Sequence, residues 1–353
     1  MNAIKNIFLL FITITFFTSC EKVFMKPNPE TDNLSIFDEY STLVKEKYAM
    51  LDFKGVDIQQ LSDSIRATIT ADLTEKELFS KLAIITTRLR DGHSDLSRTP
   101  ENDADTLNIF AGFDMTDGYP AGLDFSILIN NYISNDINPT IQWLWLEDSS
   151  DVRAIYGTLP QDNEIGYVWI PSWNNEISDE EIEAIFETIK DTKGLVFDMR
   201  FNTGGDPSLA TKFAARFTDQ AIYTGYERFK IGPDAGDFSD SPVTLQPFSG
   251  NKYLKPVRVL TDRYVYSAST TFLYSVGPIA NIKTIGQRTG GGSGSVADGY
   301  LANGWKWSLS TSEFIDHLDR HLDDGIEPDI SVALDLDDTT KDEVVEKAIL
   351  ELQ

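Results

Sequence analysis

A chain of 353 residues, 41% hydrophobic and 24% charged, has enough apolar surface for one large core with an added element, or for two domains. With 21 Phe, 13 Tyr and 6 Trp it excludes a disordered or collagen-like protein. Lys plus Arg total 30 against 56 Asp plus Glu, a formal charge of −26 that repels phosphate backbones, so no nucleic-acid partner is expected.

Residues 1–19 begin with a charge at Lys5, run apolar from Ile7 to Phe17 and end in small polar residues before Cys20, the only cysteine. This reads as a bacterial lipoprotein signal, too short to span a ~30 Å hydrocarbon core comfortably. Phe17 stands where that pattern more often has Leu. Cys20 is then the expected site of lipidation, anchoring the chain to the membrane on the periplasmic or outer-membrane face of the envelope. The alternative is a soluble secreted protein with an incidental cysteine. Residues 20–33, with Pro27 and Pro29, read as a tether.

Helical spacing of apolar residues over 34–51 and 74–90 predicts an N-terminal helical subdomain, residues 34–100. Its second helix ends in Asp91-Gly92-His93-Ser94, where Gly92 can supply a left-handed stop and leave His93 on the exit loop. Residues 101–163 read as a β-rich connecting segment, with alternating runs at 123–129 and 140–146 and no clear PDZ domain.

From 164 to 353 the pattern is that of a core. The strand GYVWIP precedes a capping box at Ser178 to Glu181 and an amphipathic helix. The strand GLVFDMR breaks at Asn202-Thr203-Gly204-Gly205, after which Asp206 and Pro207 open another helix. Strand 256–261, a helix from Ser267 to about Val276, and strand 282–285 repeat the order. Such alternation implies right-handed crossovers and a largely parallel inner sheet.

Ser267 lies where a buried strand turns into a helix, so free N–H groups of the first turn point at whatever its hydroxyl attacks. Gly204 and Gly205 follow the neighbouring strand, where bare backbone can approach a carbonyl and donate to an oxyanion. A serine nucleophile needs a base, and the chain has three histidines, His93, His317 and His321. Each feature alone is ordinary: a serine there is usually a cap, a Gly-Gly usually a turn, a loop histidine usually solvated.

Taken in order, DGHS, GLVFDMRFNTGG, VLTDRYVYSAS, TIGQRTGGG and GIEPDISV resemble the C-terminal processing peptidases, and more closely the tricorn-core branch of crotonase-like serine peptidases. The resemblance runs from about Phe37 to Val332. It implies an α+β protein with an α/β core: the helical subdomain followed by a crotonase/ClpP-like ββα-superhelix. It implies a serine peptidase acting on peptides or unfolded proteins, with Ser267 as nucleophile and Ala268 with Gly204 or Gly205 as oxyanion donors. The tail-processing branch carries a lysine base 25 residues after the serine; that position is Gly292, in a glycine run expected to be mobile. The tricorn branch uses a histidine from the upstream motif, which falls on His93. The family places an acid before Gly-x-x-Pro-Asp, here Asp323 first and Asp324 second, to orient the base. Ser269 is expected to be dispensable to the chemistry. No cluster has metal-ligand spacing and no phosphate loop appears, so neither metal nor cofactor is expected. Nothing in the pattern specifies an oligomeric state. The competing reading is a non-catalytic ligand- or peptide-binding lipoprotein on the same fold.

Overall fold

Three helices, α1 (Asn33–Lys47), α2 (Ile58–Arg66) and α3 (Glu75–Leu89), open the computed structural model, with a single turn Leu51–Lys54 between the first two. It describes residues 30–98, 107–110, 125–134, 136–147, 150–335 and 337–353. The signal, Cys20 and the tether up to residue 29 lie outside these. Each helix starts at a side-chain cap: Asp32 for α1, Asp57 for α2, and a Thr74–Glu77 capping box for α3. The left-handed residue ending α3 is Arg90 (φ 49°), not Gly92 as expected; Gly92 is small for a different reason, given below.

Strands β1 (Asp95–Arg98) and β2 (Leu107–Phe110) pair antiparallel, and β1 also pairs with β12 (Lys306–Ser310), itself the partner of β11 (Val296–Tyr300). The helices therefore share one apolar core with residues far down the chain: Phe37, Tyr40, Phe79 and Leu82 pack with Leu96, Trp305, Trp307 and Leu309. This join fixes the loop that follows α3 against the rest of the protein.

Of the run at 123–129, the described part from Phe125 on is not a strand. Residues Phe125–Leu128 form a helical turn continued by a π turn, Ile129–Ile133. Leu128 and Tyr132, four apart, are both buried, a helical spacing that the short apolar alternation masked.

The main sheet has seven strands in the order β14-β10-β9-β6-β5-β4-β3. Strands β5 (Ile165–Trp169), β6 (Gly194–Asp198), β9 (Val257–Thr261), β10 (Ile282–Gly286) and β14 (Ile330–Ser331) run parallel. Strands β4 (Val152–Thr158) and β3 (Gln142–Trp145) extend it antiparallel. Every residue of β5, β6 and β9 is buried, as the near-continuous apolar runs require of strands covered on both faces. Helices α4 (Asp179–Ile189), α5 (Pro207–Ala214) and α6 (Ala268–Val276) cover one face through Ile182, Ile185, Phe213 and Phe272. The other face carries α7 (Glu343–Leu352), whose Val344, Val345, Ala348 and Ile349 pack on Val196 and Leu260. A third sheet, β13 (Ser312–Asp316) with the hairpin β7 (Ile222–Lys230) and β8 (Phe238–Leu245), stands apart from it. Among the described residues no helix is long and apolar enough to cross a membrane.

Candidate active site

The carboxyl ends of β6 and β9 lead into the two turns the sequence singled out. After β6, Arg200 lies fully inside, bonding Asp198 Oδ2 at 2.6 Å and Asp342 Oδ2 at 2.8 Å. Asp342 also caps α7, so the helix is tied to the turn from below. Two residues on, buried Asn202 is the brace of the site. Its Nδ2 donates to Ile170 O (2.9 Å), its Oδ1 accepts from Gly204 N (3.0 Å), and its carbonyl accepts from Tyr266 N (3.2 Å) and Ser269 Oγ (3.0 Å). One residue thus fixes the glycine turn through its side chain and the nucleophile turn through its main-chain carbonyl.

Ser267 has φ 58° and ψ −118°, a conformation that costs an L-residue about 1–3 kcal/mol and persists only where its surroundings impose it. The surroundings are its N–H to Gly291 O (2.9 Å), its carbonyl accepting from Thr270 N (2.8 Å), and Thr270 Oγ1 to Gly291 O (2.6 Å). Its hydroxyl does not cap α6. Instead Ser267 Oγ stands 2.9 Å from His93 Nε2.

The histidine loop is built by Asp91, which is buried and accepts His93 N at Oδ1 (2.9 Å) and Ser94 Oγ at Oδ2 (2.7 Å). Ser308 Oγ on β12 donates to His93 O (2.9 Å), the join between helices and core noted above. Burial pulls the imidazole below its ordinary pKa of 6.5, with Asp91 opposing. A neutral ring whose Nε2 accepts the serine proton carries its own proton on Nδ1. That Nδ1 is buried with no hydrogen-bond partner among the described residues.

Asp323 does not provide one. Its Oδ2 lies 2.5 Å from Lys54 Nζ and its Oδ1 accepts Ser293 N at 3.2 Å. Lys54 also meets Asp324 Oδ1 at 2.5 Å and Arg90 O at 3.2 Å. Burial alone would lower the Lys54 pKa, but the two carboxylates outweigh it and raise it. Asp323 is pushed up to about 7 by burial and by the neighbouring Asp91, with Lys54 opposing.

The glycine run, expected to be mobile, is packed inside and hydrogen-bonded. Gly290 to Gly292 are buried, Gly290 N bonds Val265 O (2.9 Å) and Gly292 N bonds Asp323 O (2.9 Å). A side chain at Gly292 (φ 69°) has no room, because its Cβ would overlap the Tyr266 ring.

On the glycine turn the two residues differ. A Cβ on Gly204 (φ 109°) would stand 2.7 Å from Ser267 Cβ and 3.1 Å from Ala268 N, so the bare face of Gly204 is a wall of the space before the nucleophile. Gly204 N is engaged by Asn202; the N–H groups of Ala268 and Gly205 have no partner among the described residues. A Cβ on Gly205 would collide with the backbone of Trp173 and Asn174. Ser269, expected to be dispensable, is fully buried, receiving Trp173 Nε1 at 2.9 Å while donating to Asn202 O.

The turns bring Ser267, His93, Ala268 and both glycines together and leave Asp323 on Lys54. Sequence reading missed Lys54, Asn202 and Tyr266; for Asp91 the Asp-x-His spacing of a side-chain-capped turn was the available signal. Of the other histidines, His321 pairs through Nδ1 with Glu313 at 2.7 Å, which raises its pKa, and stacks on Phe53 at 4.5 Å.

Residues 164–332 match the model of peptidase family S41. A crystal structure from Parabacteroides merdae, assigned there as an inferred peptidase, is similar at 29% identity and TM-score 0.78, over 92% of this chain and 97% of that one. Mature CPAF is similar in fold, at 14% identity and TM-score 0.61 over 91% and 96%. So is the photosystem II D1 C-terminal processing protease, at 13% and 0.53 over 90% and 98%. The matched segment, residues 164–332, holds both turns and the nucleophile between them and is a peptidase family S41 domain, that of a serine peptidase.

Proposed function

We propose that the protein hydrolyses peptide bonds through an acyl-enzyme on Ser267, with His93 as general base. The 2.9 Å approach of His93 Nε2 to a strained, uncapped Ser267 Oγ is the observation that carries this reading. In the acylation step Nε2 takes the hydroxyl proton as Oγ bonds the carbonyl carbon. The carbonyl oxygen becomes an oxyanion facing the N–H groups of Ala268 and Gly205. The imidazolium is offset by Asp91, and its Nε2 proton passes to the leaving amine as the C–N bond breaks. Water, deprotonated by the same nitrogen, then releases the acid and restores Ser267.

Acylation by a fluorophosphonate, resolved by mass spectrometry, tests this. Wild type should carry the label on Ser267, and Ser267→Ala should neither label nor cleave casein while melting within about 1 kcal/mol of wild type, since the hydroxyl caps nothing. Label elsewhere on wild type would end the assignment.

For location, the signal pattern before Cys20 supports attachment to the bacterial envelope through a lipid on that residue. Cys20→Ser should move the protein from the membrane pellet to the soluble fraction or leave it unprocessed. Wild type released without detergent would contradict the anchor.

A further inference from the structure

His93 has no carboxylate on Nδ1, yet its ring must be aimed to within a fraction of an ångström for Nε2 to meet Ser267 Oγ. Its main chain is held by Asp91 and Ser308, which leaves rotation about the side-chain bonds to be set by packing. The packing partner is Tyr266, the residue before the nucleophile. Its ring centroid is 5.0 Å from that of the imidazole, inclined at 49°.

The ring occupies a slot whose walls are glycines from two loops. A Cβ on Gly92 would stand 2.5 Å from the Tyr266 hydroxyl, one on Gly290 would stand 3.1 Å from Cδ2, and one on Gly292 would overlap the ring outright. Gly92 adjoins His93, and Gly291 accepts the Ser267 N–H, so the slot is formed by the loop that carries the base and by the loop hydrogen-bonded to the nucleophile. Tyr266 is 8% exposed, and its hydroxyl is buried without a well-formed hydrogen bond. A polar tip left unsatisfied is unfavourable, so it is the ring that the slot accommodates.

We propose that Tyr266 is a positioning residue for the general base: its ring is a spacer between the histidine loop and the nucleophile turn that sets the rotamer of His93 and keeps water from Nδ1. This rests on the Ser267–His93 reading above. The charged and titratable groups near the imidazole are Asp91 on its own loop and Tyr266 opposite; Lys54 and Asp323 pair with each other behind them.

The test compares Tyr266→Phe, Tyr266→Leu, Tyr266→Ala and His93→Ala by steady-state kinetics across pH. Tyr266→Phe should keep kcat and the acid limb of kcat/KM, since it keeps the ring. Tyr266→Ala should lose about 100-fold in kcat with KM unchanged, as expected of a misplaced base. Its acid limb should move up toward ~6.5 as water reaches the imidazole. Tyr266→Leu fills much of the slot without an aromatic face; it should show the same upward shift with a smaller loss, and it decides the matter if the alanine variant does not fold. Wild-type kcat and acid limb in either aliphatic variant would overturn the proposal, as would equal losses in Tyr266→Phe and Tyr266→Ala, which would assign the effect to the hydroxyl. An active His93→Ala protein would instead overturn the base assignment beneath it, whatever the tyrosine variants did.

Discussion

Lys54 Nζ and Asp323 Oδ2 meet at 2.5 Å with both side chains buried, and the second oxygen of Asp323 holds the N–H of Ser293 at the end of the glycine run. The pair joins the turn after α1 to the loop before β14, and Asp324 adds a second contact to the same ammonium. A buried charge left without its partner typically costs about 3–5 kcal/mol. Lys54→Met should therefore destabilise strongly at pH 8.

The pH dependence of that loss has a definite sign. Asp323 is already raised to about 7 by burial and Asp91, and without the ammonium it rises further. A carboxyl whose folded pKa lies above its unfolded value of ~3.9 stabilises below the unfolded pKa and loses that contribution as pH climbs through the folded one. Lys54→Met should thus regain part of its deficit between pH 8 and pH 5.5. Chemical denaturation at the two pH values checks this; equal deficits at both would show that Asp323 does not take up a proton.

For wild type, kcat/KM should fall on the acid side with a midpoint below 6.5, because burial lowers the His93 pKa. His93→Ala should cost several orders of magnitude. Gly292→Lys should not restore activity, since the Tyr266 ring fills the space a side chain would enter and the backbone there is left-handed. Recovery of labelling in the double variant His93→Ala/Gly292→Lys would refute this.

Gly204→Ala and Gly205→Ala should fail differently. The first sets a methyl 2.7 Å from Ser267 Cβ, in front of Ala268 N, and should lower kcat by about 100-fold in protein that still folds. The second drives Cβ into the backbone of Trp173 and Asn174 and should chiefly lower the melting temperature. Thermal melts beside active-site-titrated kcat separate them; full turnover by Gly204→Ala would remove that turn from the oxyanion site.

Ser269→Ala removes the acceptor of Trp173 Nε1, leaving a buried donor unpaired at about 1–3 kcal/mol. A lower melting point with a modest loss of kcat is expected. Ser269→Thr or Ser269→Cys should recover less than the parent, because Ser269 is fully buried and the added bulk has nowhere to go. An unshifted melt in Ser269→Ala would show that the hydrogen bonds of Ser269 to Trp173 and Asn202 do not support the fold.

What the sequence made legible was mostly local chemistry. Ser178 with Glu181, Thr74 with its helix, and Asp206 with Pro207 state helix starts within a few residues, and the structure places helices there. The strands β5, β6 and β9 were legible because burial on both faces leaves unbroken apolar runs. The short helical turn at 125 was not, since four residues are too few for periodicity to separate helix from strand. Lys54 was invisible because its partner Asp324 is 270 positions away and nothing about a lysine after Phe53 announces burial. Asp323 was found as a residue but its contact was not, since one acid can face either of two cations and only the fold chooses. Gly92 was read as a helix stop although it is small to admit Tyr266, a cause that lies in another segment altogether.

The Arg200–Asp342 ion pair bears on when the protein can first act. His93 leaves the ribosome early and Ser267 well after it, but the turn carrying Asn202 is secured from beneath by the cap of α7, near residue 342. Until that helix has emerged and docked on Val196 and Leu260, Arg200 has only Asp198 of its two carboxylates and the face of the sheet under the site is bare. A chain that has not yet reached residue 342 therefore holds its hydrolytic groups without the support beneath the Asn202 turn.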